Sequence, residues 1–185
     1  NLISAIAEKR KLPSPFGFFY QPAVLPQEVI SNYARYEDRL PEYMRKFLED
    51  MEASRAGDDI RSLEKLLIEL FYREVRASGD EFLQNYYGFE GTLRRIMTAI
   101  NSRKYSFDPS NELWGEDELN RKLTRASASD FGLSEEYTFI PLLLDLSAHR
   151  DPLALEQQYD QLLWEHVDEQ VRFSFFNTHK VLGYT

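Results

Sequence analysis

Residues 60–104 read IRSLEKLLIELFYREVRASGDEFLQNYYGFEGTLRRIMTAINSRK, and they decide the fold class. In the first half, Ile60, Leu63, Leu66, Leu67, Leu70, Phe71 and Val75 recur at i, i+3, i+4 and i+7. That period puts them on one stripe of an α-helix and on both faces of a strand. Gly79 then supplies a helix stop, and Asp80 a side-chain oxygen for the first free amides of a successor. The successor runs from about Glu81 to Lys104, with Phe82, Tyr86, Phe89, Leu93, Ile96, Met97 and Ile100 on its apolar face. Two long amphipathic helices in succession, with no alternating β-branched run between them, point to a helical protein.

The same reading extends toward the N-terminus. Residues 1–12 form a helical candidate with Leu2, Ile3, Ile6 and Leu12 facing one way, closed by Pro13-Ser14-Pro15. Phe16 to Tyr20 form an aromatic loop, read as a plug between helices, with a docking tab for a partner as the alternative. Pro26 is placed at the first position of a helix in which Val29, Ile30, Tyr33, Tyr36 and Leu40 recur up to Pro41. A further segment carries Tyr43, Met44, Phe47, Leu48 and Met51 and frays at Ala56-Gly57, before Asp58 and Asp59 offer caps to the helix at 60.

Toward the C-terminus, a loop with Asp108-Pro109 and Trp114-Gly115 precedes a short helix marked by Leu119 and Leu123. Ser134 is expected to cap a buried helix through Leu146, with Glu135 and Glu136 near its positive end. Asp151-Pro152 is a strong start signal for a helix carrying Leu155, Tyr159, Leu162, Leu163, His166 and Val167. A last helix is expected from Ser174, with Phe175, Phe176, Val181, Leu182 and Tyr184. The expectation is an all-α multi-helix bundle of seven to nine helices and essentially no sheet. Residues 1–185 are read as one helical region with a lobe boundary near 78–80. Asn1 in the place of Met, and Tyr184-Thr185 inside an apolar pattern, suggest a fragment trimmed at one or both ends.

Composition narrows the function classes. A net charge of −9 repels phosphate backbones, which argues against nucleic-acid binding. Cys is absent, which excludes disulfides and thiolate metal sites. The strongest apolar run, Phe139 to Leu146, is too short for a membrane span and contains Pro141 and Asp145. It reads as a buried helix, with Asp145 paired to an Arg.

No catalytic, cofactor or metal constellation emerges. His149, His166 and His179 lack the Glu-x-x-His or His-Glu-x-x-His spacing that aims two ligands at one metal. There is no Gly-x-Ser-x-Gly and no phosphate-cradling glycine loop; Gly88 and Gly91 fall inside a helical pattern. Glu90 falls on the apolar stripe between Tyr86 and Leu93, where a carboxylate needs a partner, and Arg94 lies one turn on. This is read as a structural ion pair. A basic stretch of Arg94, Arg95, Arg103 and Lys104 faces an acid-rich helix of Asp151, Glu156, Asp160, Glu165, Asp168 and Glu169, read as internal packing plus a solvated acidic face.

The run Phe82-Leu83-Gln84-Asn85-Tyr86-Tyr87-Gly88-Phe89-Glu90 leads into Leu93-Arg94-Arg95-Ile96 and Ala99-Ile100-Asn101-Ser102-Arg103-Lys104-Tyr105. With Phe173, Phe175-Phe176 and Val181-Leu182-Gly183-Tyr184, it resembles a bacterial family of uncharacterised proteins related to the C-type subunit of V-type/A-type ATPases. Its counterpart in eukaryotic vacuolar enzymes is termed d. The matching patches cover about a third of the chain. The resemblance implies an all-helical, non-enzymatic connector between the central rotor shaft and the membrane proteolipid ring. It maps Glu90, Asn101 and Arg103 onto the family's acidic, Asn and Arg positions. It further implies no cofactor, other ATPase subunits as partners, no membrane span of its own, and a cytoplasmic place peripheral to the membrane. Three related lobes, familiar in that ATPase component, are not visible here. A generic helical protein–protein adaptor is the alternative.

Overall fold

The computed structural model describes residues 1–11, 23–53, 59–149 and 151–172. Among these the chain is all-α: α1 (Leu2–Arg10), α2 (Gln27–Ser31), a 3₁₀ turn (Glu37–Arg39), α3 (Glu42–Glu52), α4 (Ile60–Ala77), α5 (Glu81–Tyr105), α6 (Pro109–Glu112), α7 (Glu118–Arg125), α8 (Ile140–His149) and α9 (Pro152–Val171). No strand occurs among the described residues. The aromatic loop at 16–20 and the expected helix from Ser174 lie outside them. The chain divides into two compact units, 1–74 and 75–185; the boundary expected at 78–80 lies just beyond that division.

The first unit is built around Ile6, Val29, Phe47 and Leu63, each almost completely shielded from solvent. These come from α1, α2, α3 and α4, one inward residue per helix, as their stripes require. Each such side chain contributes about 1.5–3 kcal/mol on burial. Tyr43 packs edge-on against Phe71 at 5.4 Å, and its backbone amide donates to the Glu74 carboxylate. Asp59 accepts from the Ser62 amide at 3.1 Å, the capping role expected of it.

The stretch from Pro26 to Leu40 does not form the single helix that its apolar spacing suggests. Helix α2 ends at Ser31, and the side-chain amide of Asn32, its C-cap, donates to the Glu28 carbonyl at 3.1 Å, competing with helical bonding. Leu40 precedes Pro41 and is extended (φ −81°, ψ 143°), which the proline ring favours over the helical region. Pro26 itself is the N-cap, one position earlier than expected. The apolar residues still reach the core: Val29, Ile30 and Leu40 are buried. Val29 and Ile30 do so from α2, and Leu40 from the turns that follow it.

In the second unit α5 is the central element, in contact with α6, α7, α8 and α9. Leu93, Ile96 and Ala99 are fully buried against Leu123, Leu133, Ile140 and Leu143. At one end of α5, Phe82 meets Val167 and Val171 of α9. The Asp80 side chain accepts from the Leu83 amide at 3.0 Å, as its sequence position leads one to expect. Asp151 does the same for Ala154, ahead of Pro152 in the first turn of α9.

Helix α8 starts at Ile140, five residues later than a cap at Ser134 suggested. A helix from Ser134 would hold Pro141 in its interior, where the ring cannot donate and clashes with the carbonyl of Tyr137. Beginning at Ile140 leaves Pro141 in the first turn, where a missing donor costs nothing. Phe131 and Gly132 take left-handed backbone (φ 60° and 67°) and turn the chain, and the Asp130 side chain binds Ser134. The later start also corrects the expectation for Asp145. That residue lies on the exposed side of α8, 3.5 Å from His149 and not in a buried pair with Arg.

Candidate functional site

Glu90, Arg94, Asn101 and Arg103 all lie on α5, so the site is built along that helix. Glu90 is only 7 % exposed, because it belongs to the apolar stripe between Tyr86 and Leu93. Arg94, one turn on, places a guanidinium nitrogen 3.0 Å from its carboxylate. From α9, the Tyr159 hydroxyl donates to the same oxygen at 3.3 Å. Burial and the nearby Glu90 charge push the Tyr159 phenol up to about 12, so it stays a protonated donor. The two partners satisfy a carboxylate that would otherwise be costly to enclose.

Arg95 points to the opposite side of α5. It lies 2.6 Å from Asp117 and also donates to Asn120 at 3.3 Å. Asp117 in turn caps α7 through the Asn120 amide, at 3.0 Å. Partial burial would raise the Asp117 carboxyl, but the bonds from Arg95 and the Asn120 amide outweigh it and hold it below the usual range. The Asn120 side chain donates to the carbonyls of Trp114 and Gly115, at 2.6 and 2.7 Å. One arginine thus fastens α5 to both α7 and the loop before it.

Arg103 grips the connection after α7. Its guanidinium donates to the backbone carbonyls of Ala126, Ala128 and Ser129. It also lies over the Phe131 ring, 3.7 Å from the centroid. Lys104 donates to the Ser147 carbonyl of α8 at 2.6 Å. The basic stretch is consequently tied to other parts of its own unit. Asn101 sits between these anchors, half-buried, and lines two adjoining cavities of about 430 and 440 Å³ beside α9.

The structure therefore joins Glu90 to Arg94, while Asn101 and Arg103 stand apart from that pair and from each other's partners. Sequence reasoning missed Tyr159, Asp117 and Asn120 as polar partners. Asp117-x-x-Asn120 carried a capping signal, but the reach of Tyr159 to Glu90 depends on how α9 packs, which no local pattern encodes.

His166 stacks on Phe89 at 4.2 Å, and its Nε2 lies 3.3 Å from the Asn85 carbonyl. Burial pulls its pKa down, favouring the neutral ring. Among the described residues no three His, Asp or Glu side chains gather in a way that could hold a metal ion, and no helix is long and apolar enough to cross a membrane. His179 lies outside the described residues.

A family model described as a protein of unknown function, DUF2764, matches residues 1–185. No curated protein and no solved structure matches.

Proposed function

We propose that this chain, which belongs to the DUF2764 family, is a non-catalytic helical connector of a V-type/A-type ATPase that links the rotor shaft to the proteolipid ring. The observation that carries the reading is the use of the α5 side chains. Arg94, Arg95, Arg103 and Lys104 each bond within their own unit, to Glu90, to Asp117, to loop carbonyls and to α8. Groups that could move protons or hold phosphate are instead spent on fastening helices together. A body that passes torque or holds partners in place needs that stiffness and needs no chemistry of its own.

The assignment to an ATPase rests on the resemblance of segments 82–105 and 173–184 to the C-type connector, and Glu90, Asn101 and Arg103 are the positions it maps. A cytoplasmic place, peripheral to the membrane through the complex, goes with it. The test is co-purification of the full-length protein with ATPase subunits from its own cells. Recovery of shaft and ring subunits in fixed proportion is the expected result; their absence under conditions that preserve the ATPase would remove the reading.

A generic adaptor is the second reading. Its support is the exposed acidic side of α9, where Glu156, Asp160, Glu165 and Glu169 face solvent. An adaptor of this kind would co-purify with a partner outside any ATPase.

A further inference from the structure

Three cavities lie along the seam between α5 and α9, and they lie on the same side of it. The first is lined by Leu83 and Tyr87 of α5 with Asp160 and Trp164 of α9. The second lies between Arg94 and Thr98 on one wall and Glu156 on the other. The third lies between Lys104 and Tyr105 and the start of α9. Among the α5 positions that line them, 83, 87, 94, 98, 101 and 105 recur every three or four residues or a multiple of that, with 82, 86, 97 and 104 on the adjoining side of the same helix face. The second and third cavities share Asn101, Pro152 and Leu155, so they form one trough. From Leu83 to Tyr105 the seam runs for about 33 Å at 1.5 Å per residue.

We infer that this seam is an acceptor groove for one amphipathic helix of a partner protein, apolar on the face it buries and basic along the edge over α9. The inference deepens the connector reading and rests on it. The first cavity shares no lining residue with that trough, and a helix spanning both, from Leu83 to Tyr105, would have about 22 residues. Tyr105 and Trp164, large side chains that line the outer cavities on α5 and α9, are 59 and 53 % exposed. A helix laid in the groove would cover such a surface in the manner of helix-in-groove recognition.

Charge selects the partner. Arg94 is neutralised by Glu90, Lys104 is held by the Ser147 carbonyl, and Asp151 caps α9. That leaves Glu156 and Asp160 as the acids along the groove with no ion-pair partner among the described residues. A second copy of this acidic chain would bring like charges to that edge, whereas lysines or arginines would complement it.

The experiment uses the full chain and two synthetic 22-residue peptides. Both carry Leu at heptad a and d positions; one has Lys at e and g, the other Glu. Binding is read by fluorescence anisotropy of the labelled peptide. The Lys peptide is expected to bind at least about tenfold tighter, since a like-charged edge opposes docking. Glu156→Lys with Asp160→Lys should reverse that order. Thr98→Trp, which fills the middle of the groove from a half-exposed position, should weaken both peptides while circular dichroism stays unchanged. Equal binding of the two peptides, or binding of neither, overturns the inference. So does Lys-peptide binding that emerges only after Phe175→Asp with Phe176→Asp, which would make the chain's own terminus the occupant. A dimer in sedimentation that Thr98→Trp dissociates would assign the groove to a second copy instead. Co-purification with ATPase subunits that survives Thr98→Trp would leave the connector reading standing while removing this groove from it.

Discussion

The two units of the molecule reach order by different means. In residues 1–74 each helix contributes an inward aliphatic or aromatic residue to one cluster around Phe47. In residues 75–185 a comparable apolar cluster around Leu93 and Ile96 is supplemented by polar bonds between segments far apart in sequence. Arg95 reaches Asp117, Arg103 reaches Ala126 to Ser129, Lys104 reaches Ser147, and Tyr159 reaches Glu90. Apolar burial is tolerant of exact direction, since area removed from water is what counts. Hydrogen bonds are directional, so those of the second unit fix the loops between helices as well as the helices themselves. Among the described residues the first unit adds the Tyr43–Glu74 bond to its packing, and the second adds arginine grips on loop carbonyls.

The contrast is challenged most severely by opening the apolar core of the first unit. Phe47→Ala removes the largest fully enclosed ring there and should cost about 3–5 kcal/mol, measured by urea unfolding followed by circular dichroism. A loss below about 1 kcal/mol, far under the usual range for such a truncation, would mean that packing is not what holds residues 1–74.

Next in size is Glu90→Ala. It leaves the half-buried Tyr159 hydroxyl and the Arg94 charge without their shared acceptor, at an expected cost of about 1–3 kcal/mol. Glu90→Leu should recover much of that loss, because an apolar residue of similar volume suits the stripe. If Leu proves worse than Ala in the same unfolding assay, the carboxylate has a role beyond satisfying its neighbours.

Arg103→Met keeps the stem and its contact with Phe131 but removes the donors to three carbonyls. Because the guanidinium is partly solvated, the expected loss is about 1–2 kcal/mol, less than for a fully buried charge. The more telling measurement is hydrogen exchange, which should quicken in residues 126–133. No change there would remove Arg103 from the set of residues that stiffen the second unit.

The smallest effect concerns His166. Its folded pKa lies below that of the unfolded chain, so the unfolded state binds more protons as pH falls from about 6.5. Stability from this residue is present above the unfolded value and is lost as pH falls through the folded value. Thermal midpoints between about pH 7 and 5 should therefore decline more steeply for the native chain than for His166→Phe. Parallel curves would show that the ring's charge is indifferent to its contact with Phe89.

Much of the fold is legible in local pattern. The stripes at 60–75 and 82–100 and the caps at Asp59, Asp80 and Asp151 are encoded within a few residues, and they form as read. The segment 26–40 is not, because spacing alone cannot weigh Asn32 and the residue before Pro41 against a stripe. The start of α8 escapes for a different reason: Ser134 and its two glutamates imitate a helix entrance, while the boundary is set by where Pro141 can sit. At the candidate site, Glu90 with Arg94 is readable because the two are one turn apart. Tyr159 is not, because it is 69 residues away and meets Glu90 only through tertiary packing.

The fork of Arg103 constrains how this chain can drift over generations. Its nitrogens meet main-chain oxygens at 126, 128 and 129, which every amino acid supplies alike. Side chains there are thus open to replacement, whereas the number of residues is not: an insertion or deletion would slide the oxygens off their donors. Relatives should accordingly vary in spelling between Arg125 and Phe131 but hold the count constant, a bookmark of fixed width in otherwise changeable text.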